Sequence, residues 1–188
     1  MQLKPIAILL VISLLQGCAA AVVAGTAGAI SAANDRRTIG SQIDDNNIEI
    51  KGMLAIRNIE RLKEHANISL ISVNGIVLMV GQVANTEMKQ QAQSALKDIP
   101  AIRQVHNQLR ISSNIGVTTQ THDVWLTSKV KTRLLAAEDV SGNNIKVVTE
   151  NSEVFLMGLV KREEADRAVE IARNINGVTR VVKAFEYL

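Results

Sequence analysis

The chain contains one small pattern twice. Asn74-Gly75-Ile76-Val77-Leu78-Met79-Val80-Gly81-Gln82-Val83 returns 77 positions later as Asn151-Ser152-Glu153-Val154-Phe155-Leu156-Met157-Gly158-Leu159-Val160. Upstream, Ile68, Leu70 and Ile71 meet Ile145, Val147 and Val148 at the same offset. Downstream, Ala92, Ile99, Ile102 and Val105 meet Ala168, Ile175, Val178 and Val181 at an offset of 76, so one residue is lost in the turn after the central Gly-x-Val. Self-similarity of this kind is internal to one chain and constrains the fold before anything else does. Each copy can close its own core, so the pattern is a duplication and not a solenoid.

Periodicity supplies the elements of each copy. Asp45 to about Lys63 reads as a helix with Ile48, Gly52, Ile56 and Ile59 near one face, and Asp123 to Ala137 repeats it with Leu126, Val130, Leu134 and Ala137. Asp45 and Asp123 are the expected N-caps. A strand follows at Ile68–Val73 or Ile145–Thr149, then a turn at Asn74-Gly75 or Asn151-Ser152, the first of these a strong hairpin signal. The next strand is Ile76–Val83 or Val154–Val160. A second helix covers Thr86 to Lys97 or Glu163 to Asn174, stopped by Pro100 or Gly177, and a last strand covers Arg103–Ile111 or Thr179–Tyr187. The expected class is α+β: two tandem domains, each α-β-β-α-β, with a three-stranded mixed sheet covered on one face by two helices.

The residues of this pattern carry a resemblance. Gly75-Ile76-Val77-Leu78 leading to Gly81-x-Val83, the alanine-rich helix, and Ile99-Pro100-Ala101-Ile102-x-x-Val105 resemble the BON domain. Val154 to Gly158-x-Val160 and Ile175-Asn176-Gly177-Val178-x-x-Val181 resemble it more closely, as does the opening Asp123-x-Trp125-Leu126. The first copy departs at Pro100-Ala101 and carries Gly52 in its opening helix. The resemblance spans nearly all of residues 44–188.

The N-terminus carries a second resemblance. Lys4 precedes an apolar run from Ile6 to Leu15, too short to span a bilayer and of signal-peptide type. Leu15-Gln16-Gly17-Cys18 then resembles the bacterial lipobox, in which cleavage before the cysteine leaves it acylated, and Ala19 follows it where Asp does not. The alternative is an ordinary signal peptide with a stray cysteine. With the two BON-like copies, the chain resembles the dual-BON-domain outer-membrane lipoproteins of enterobacteria. The resemblance implies a lipid-anchored protein on the periplasmic face of the outer membrane that binds phospholipid surfaces and supports envelope integrity. The expected organisation is a signal peptide at 1–17, a lipidated N-terminus and spacer at 18–43, the first domain at 44–112, a linker at 113–121 and the second domain at 122–188.

Composition narrows the chemistry. Cys18 is the single cysteine, so once it carries lipid, disulfides, iron–sulfur clusters and thiol nucleophiles are excluded. The formal charge is +3, and residues 44–112 carry eight basic against seven acidic groups, residues 117–188 ten against ten. A nucleic-acid partner requires a far stronger positive bias. His65, His106 and His122 are scattered, with no metal-ligand spacing. Gly81 and Gly158 follow no phosphate-loop pattern and read as turn or bulge positions. Ser69, Ser72, Ser128 and Ser152 belong to no nucleophile motif, and Glu163, Glu164, Asp166 and Glu170 read as a solvated helix start. No catalysis, cofactor or metal is expected, and a monomer is the expected state.

The opening helix of the second copy is the functional candidate. Trp125, Val124 and Leu135 fall outside its apolar face, with Ser128, Lys129, Lys131 and Thr132 nearby, whereas Arg133 sits closer to the buried side. An indole at headgroup level, aliphatic tips beneath it and lysines facing phosphates suit an anionic phospholipid surface, phosphatidylglycerol being the expected one. Two other readings stay open. Trp125 can close the gap between the two domains, or it can meet a protein partner, which makes the chain a periplasmic adaptor for an outer-membrane assembly machine or a cell-wall remodelling component.

Overall fold

A computed structural model describes residues 35–112 and 117–188, and Arg36–Leu188 forms one compact unit. The signal segment, Cys18, the spacer as far as residue 34, and residues 113–116 lie outside the described residues.

The first copy runs α1 (Ile39–Arg57), α2 (Glu60–His65), β1 (Asn67–Val73), β2 (Ile76–Val83), α3 (Thr86–Ser94), then β3 (Gln104–Asn107) and β4 (Arg110–Ile111), two pieces of one extended run. The second runs α4 (Val117–Leu135), a 3-10 turn at Gly142–Asn144, β5 (Ile145–Glu150), β6 (Glu153–Val160), α5 (Arg162–Arg173) and β7 (Arg180–Tyr187). In each sheet the middle strand pairs antiparallel with the strand before it and parallel with the strand after the helix. Both copies therefore have the α+β order that the repeat requires.

Two helix starts differ from expectation. α1 begins at Ile39, inside the expected spacer, because Thr38 caps it: the Thr38 hydroxyl accepts from the Ser41 amide at 3.0 Å. It stops at Arg57, and a separate short helix follows. α4 already begins at Val117, inside the expected linker. Asp45 and Asp123 are consequently internal to their helices and cap nothing. Each is buried and reaches across to its own hairpin. Asp45 accepts from the Asn74 amide at 2.7 Å, the Gly75 amide at 2.9 Å and the Ser72 hydroxyl at 2.6 Å. Asp123 accepts from the Asn151 amide at 2.7 Å and the Ser152 amide at 2.8 Å. These turn residues hold φ of 52° and 75°, and of 50° and 62°, the left-handed pair that a tight two-residue hairpin demands. A carboxylate supplied by the opening helix thus fixes both the turn and the rotation of that helix.

Gly81 and Gly158 sit inside the middle strands and are not turns. At φ of +121° and +154°, a Cβ there would stand 1.9 Å from the Asn67 carbonyl oxygen or 2.2 Å from that of Asn144. Close approach of the neighbouring backbone demands the missing side chain.

Helices cover only one face of each sheet. Leu70, Val77, Met79 and Val83 meet Ile48 and Ile56 of α1 and Met88 and Ala92 of α3. Ile145, Val147, Val154, Leu156 and Val160 meet Leu126, Val130 and Leu134 of α4 and three alanines of α5. The other faces meet each other: Val73, Ile76, Leu78 and Val80 pack against Phe155, Met157 and Ala184. The unit is four layers, helices–sheet–sheet–helices. Polar contacts rim this junction, with Arg103 to Glu186 at 2.7 Å, Lys146 to Glu49 at 3.0 Å, Arg110 on Glu153 and Gln82 on Glu150. Burial raises the Glu150 carboxyl above the ordinary range. The domains are joined through their sheets, not through Trp125.

Arg36 pins the start of the unit to the second domain. Its guanidinium forks onto Glu164 at 2.6 and 2.9 Å and donates to the Ser141 hydroxyl at 3.1 Å and the Leu159 carbonyl at 3.3 Å. That pairing holds the Glu164 carboxyl down at about 2.

Candidate functional site

α4 buries Asp123, Leu126, Val130 and Leu134. The Asp123 clamp and a hydroxyl bond from Thr127 to Thr149 at 2.8 Å set its rotation. With the helix so fixed, Trp125 is 50% exposed, Val124 68% and Leu135 50%. The indole is not enclosed by the first domain. That domain does approach α4, since Asn67 and Ser69 share a shallow groove with Val124, Thr127 and Ser128, yet it leaves Trp125 outside.

Lys129 lies with its ammonium 4.5 Å from the centre of the indole, and His122 stacks obliquely at 5.7 Å. The ring is thus held between two groups while its outer edge faces solvent. Arg133 follows one turn on, completing a row of Trp125, Lys129 and Arg133 at i, i+4 and i+8. Together with Arg167, Ala136, Ala137 and Ile171, Lys129 and Arg133 line a groove of about 540 Å³ between α4 and α5. Arg167 is held there by Asp139 at 2.7 Å. Lys129 and Arg133 have no carboxylate partner among the described residues. A groove with cations along one wall, the first of them stacked on an indole, is suited to a phosphodiester on an apolar body.

The residues expected on this surface do not all lie there. Lys131 points inward: its ammonium donates to the carbonyls of Gly142 at 3.0 Å and Ile145 at 2.7 Å, and burial lowers its pKa. It braces the 3-10 turn, and two of its three donors are spent on those carbonyls. The Ser128 and Thr132 hydroxyls donate back to the carbonyls of Val124 at 3.0 Å and Ser128 at 2.9 Å. They remain exposed as acceptors, a poor match for an anion. Arg133, expected near the buried side, is exposed. On a helical wheel it falls beside the core stripe, but the neighbour there is α5, and the gap between the two helices opens to solvent. Arg167 belongs to that second helix, so no pattern within α4 points to it. Among the described residues no group of three or more His, Cys, Asp or Glu could hold a metal ion.

Comparison with known proteins follows the same lines. The family model described as BON domain matches residues 54–113 and 122–188. The chain is 40% identical over 187 residues to the outer membrane lipoprotein DolP of Haemophilus influenzae, covering 99% of this chain and 97% of that one. It is 35% identical over 154 residues to the 21 kDa hemolysin of Actinobacillus pleuropneumoniae, with 82% and 79% covered. It is 27% identical over 146 residues to the osmotically-inducible protein Y of Escherichia coli, with 76% and 72% covered.

Proposed function

The chain belongs to the BON domain family, with two copies of the domain, and from that premise we propose that it is a lipid-anchored outer-membrane protein whose second domain docks on anionic phospholipid. In this reading Cys18 carries the acyl chains and holds the molecule at the periplasmic face of the outer membrane. The activity is binding, and its purpose is support of the envelope. The likeness to an outer membrane lipoprotein along nearly the whole chain supports the anchor and the location.

The observation that carries the lipid contact is the row on α4. A half-exposed indole stands under the Lys129 ammonium, Lys129 and Arg133 line one wall of a groove without a carboxylate partner among the described residues, and Val124 and Leu135 are exposed on the same helix. The indole rests at headgroup depth, the aliphatic tips sit beneath it, and Lys129 and Arg133 meet phosphate oxygens. Lys131, Ser128 and Thr132 shape the helix and do not contact the headgroup. Anion selectivity comes from the two free cations, so a zwitterionic surface binds weakly.

The single tryptophan makes the test direct. The full lipoprotein is reconstituted in vesicles of phosphatidylcholine with or without phosphatidylglycerol, so that the anchor is constant and only docking of the second domain varies. Emission from Trp125 is expected to shift blue, and to be quenched by brominated acyl chains, only with the anionic lipid. The double change Lys129→Glu, Arg133→Glu is expected to abolish both effects. Identical emission in the two vesicle types would refute the reading.

A further inference from the structure

α1 has a second apolar face that the fold does not use. Its inner face buries Ile48, Gly52 and Ile56. On the opposite side Ile39, Ile43, Ile50 and Leu54 are between 56% and 73% exposed. At 100° per residue these four fall within a 60° arc directed away from the core, so they form one stripe along the helix. The duplicated domain shows that the fold does not require it: the positions of α4 that match Ile43, Ile50 and Leu54 hold Thr121, Ser128 and Thr132. Because the helices form opposite outer layers, this stripe and the Trp125 surface face away from each other. One flat membrane cannot cover both.

The stripe reads the same in both directions. Ile43 and Ile50 are equidistant from the midpoint between Asn46 and Asn47, and so are Ile39 and Leu54. Asn46 and Asn47 are exposed and flank the stripe at its centre. A surface with this symmetry is complementary to itself about a two-fold axis. We propose that α1 pairs antiparallel with α1 of a second copy of this chain. Ile39 then packs on the second copy's Leu54, Ile43 on its Ile50, and the asparagines meet at the axis, where their amides can bond to one another and fix the register. Arg57 closes the stripe at one end. Four partly exposed aliphatic side chains offer far less apolar surface than a full interface requires. A stable interface buries about 800 Å² per partner. The pair is therefore weak and transient in dilute solution; it forms between copies tethered to one membrane by their N-termini, and because it turns the two Trp125 surfaces in opposite directions it excludes docking of both copies through α4.

Cysteine cross-linking of the full chain in its native envelope tests the pairing. Asn47→Cys places a thiol beside the axis, so a disulfide-linked dimer is expected on oxidation, above the background given by the unaltered chain. Leu54→Cys alone is expected to give none, because its two copies stand about 22 Å apart along antiparallel helices. Co-expression of Leu54→Cys with Ile39→Cys is expected to restore a dimer. Adding Ile43→Asp and Ile50→Asp to Asn47→Cys is expected to remove it, and these exposed sites leave the fold intact, as unchanged Trp125 emission will confirm. No dimer from Asn47→Cys above background would overturn the pairing. So would self-cross-linking of Leu54→Cys equal to that of Asn47→Cys, which requires parallel helices.

Discussion

Asp123→Ala isolates the device that ties the opening helix to the hairpin. The wild-type carboxylate accepts two amide bonds at 2.7 and 2.8 Å from inside the domain, where it is 5% exposed. Hydrogen bonds to a charged group contribute about 1.5–3 kcal/mol each. The turn amides are half-buried, so water replaces part of the loss once the carboxylate has gone, and the lower end applies. The expected destabilisation is about 3 kcal/mol. Asp123→Asn is the informative partner. Its carbonyl oxygen replaces one acceptor, but its NH₂ then faces the other amide donor to donor, so about half the loss should remain. Urea unfolding followed both by Trp125 fluorescence and by far-UV circular dichroism measures the change, the second probe guarding against a merely local response. The midpoint should fall with an unchanged slope. If Asp123→Ala loses less than about 1 kcal/mol, or if Asp123→Asn matches the wild type, the clamp does not hold the turn as argued.

Other expectations follow from the same geometry. Phe155→Ala empties the sheet-to-sheet junction and should cost about 3–5 kcal/mol by urea unfolding, with the two domains melting less cooperatively in calorimetry. Gly158→Ala forces a Cβ against the Asn144 carbonyl and should cost about 3 kcal/mol or more by the same measure. Glu164 is held charged by Arg36, so its stabilisation is complete above the ordinary carboxylate value of 4.5 and is lost as pH falls toward about 2. Urea midpoints taken between pH 5 and pH 2.5 should fall more steeply for the wild type than for Glu164→Gln. Lys131→Met should lower thermal stability, because it removes the ammonium's bonds to the Gly142 and Ile145 carbonyls, whereas Lys129→Met should leave stability unchanged and weaken binding to phosphatidylglycerol vesicles.

The fold was legible because the repeat states each element twice, and an ambiguity in one copy is resolved by the other. The weak opening helix with Gly52 gains support from Asp123 to Leu134, and the Asn151-Ser152 turn from Asn74-Gly75. What stayed hidden was longer in range. Asp45 and Asp123 look like N-caps because a short acidic residue before an apolar period is the usual local signature. Only the fold brings the hairpin amides to them. The junction between domains did leave a trace: β2 is buried along its whole length, and Ile76-Val77-Leu78-Met79-Val80 has no polar alternation. A strand apolar on both sides is covered on both sides, so the sheet face without helices needed a partner, and the second sheet is that partner. At the candidate site the wheel places Trp125 and Lys129 on the outside of α4. It cannot place Arg133 or Lys131, because their surroundings belong to α5 and to the 3-10 turn, elements that a single helix's periodicity does not contain.

Duplication followed by face-to-face packing has a consequence for how the two copies can diverge. The sheet faces and the inner helix faces are committed to three cores, so they tolerate little change. The outer faces of α1 and α4 carry no such burden and point in opposite directions. Substitution there alters what the molecule can touch without altering how it folds. At equivalent outer positions one copy has acquired Ile43, Ile50 and Leu54, while the other has Thr121, Ser128 and Thr132 with Trp125 and Lys129 alongside. The stripe on α1 is aliphatic; the outer face of α4 pairs an aromatic with a cation. A molecule anchored at its N-terminus and docked through α4 would therefore present α1 away from the lipid, so docking through α4 and pairing through α1 are alternative uses of two copies on one membrane. The two layers can be tested separately, because Lys129→Glu with Arg133→Glu should abolish lipid-dependent Trp125 emission without affecting the fold, and Ile43→Asp with Ile50→Asp should leave that emission untouched.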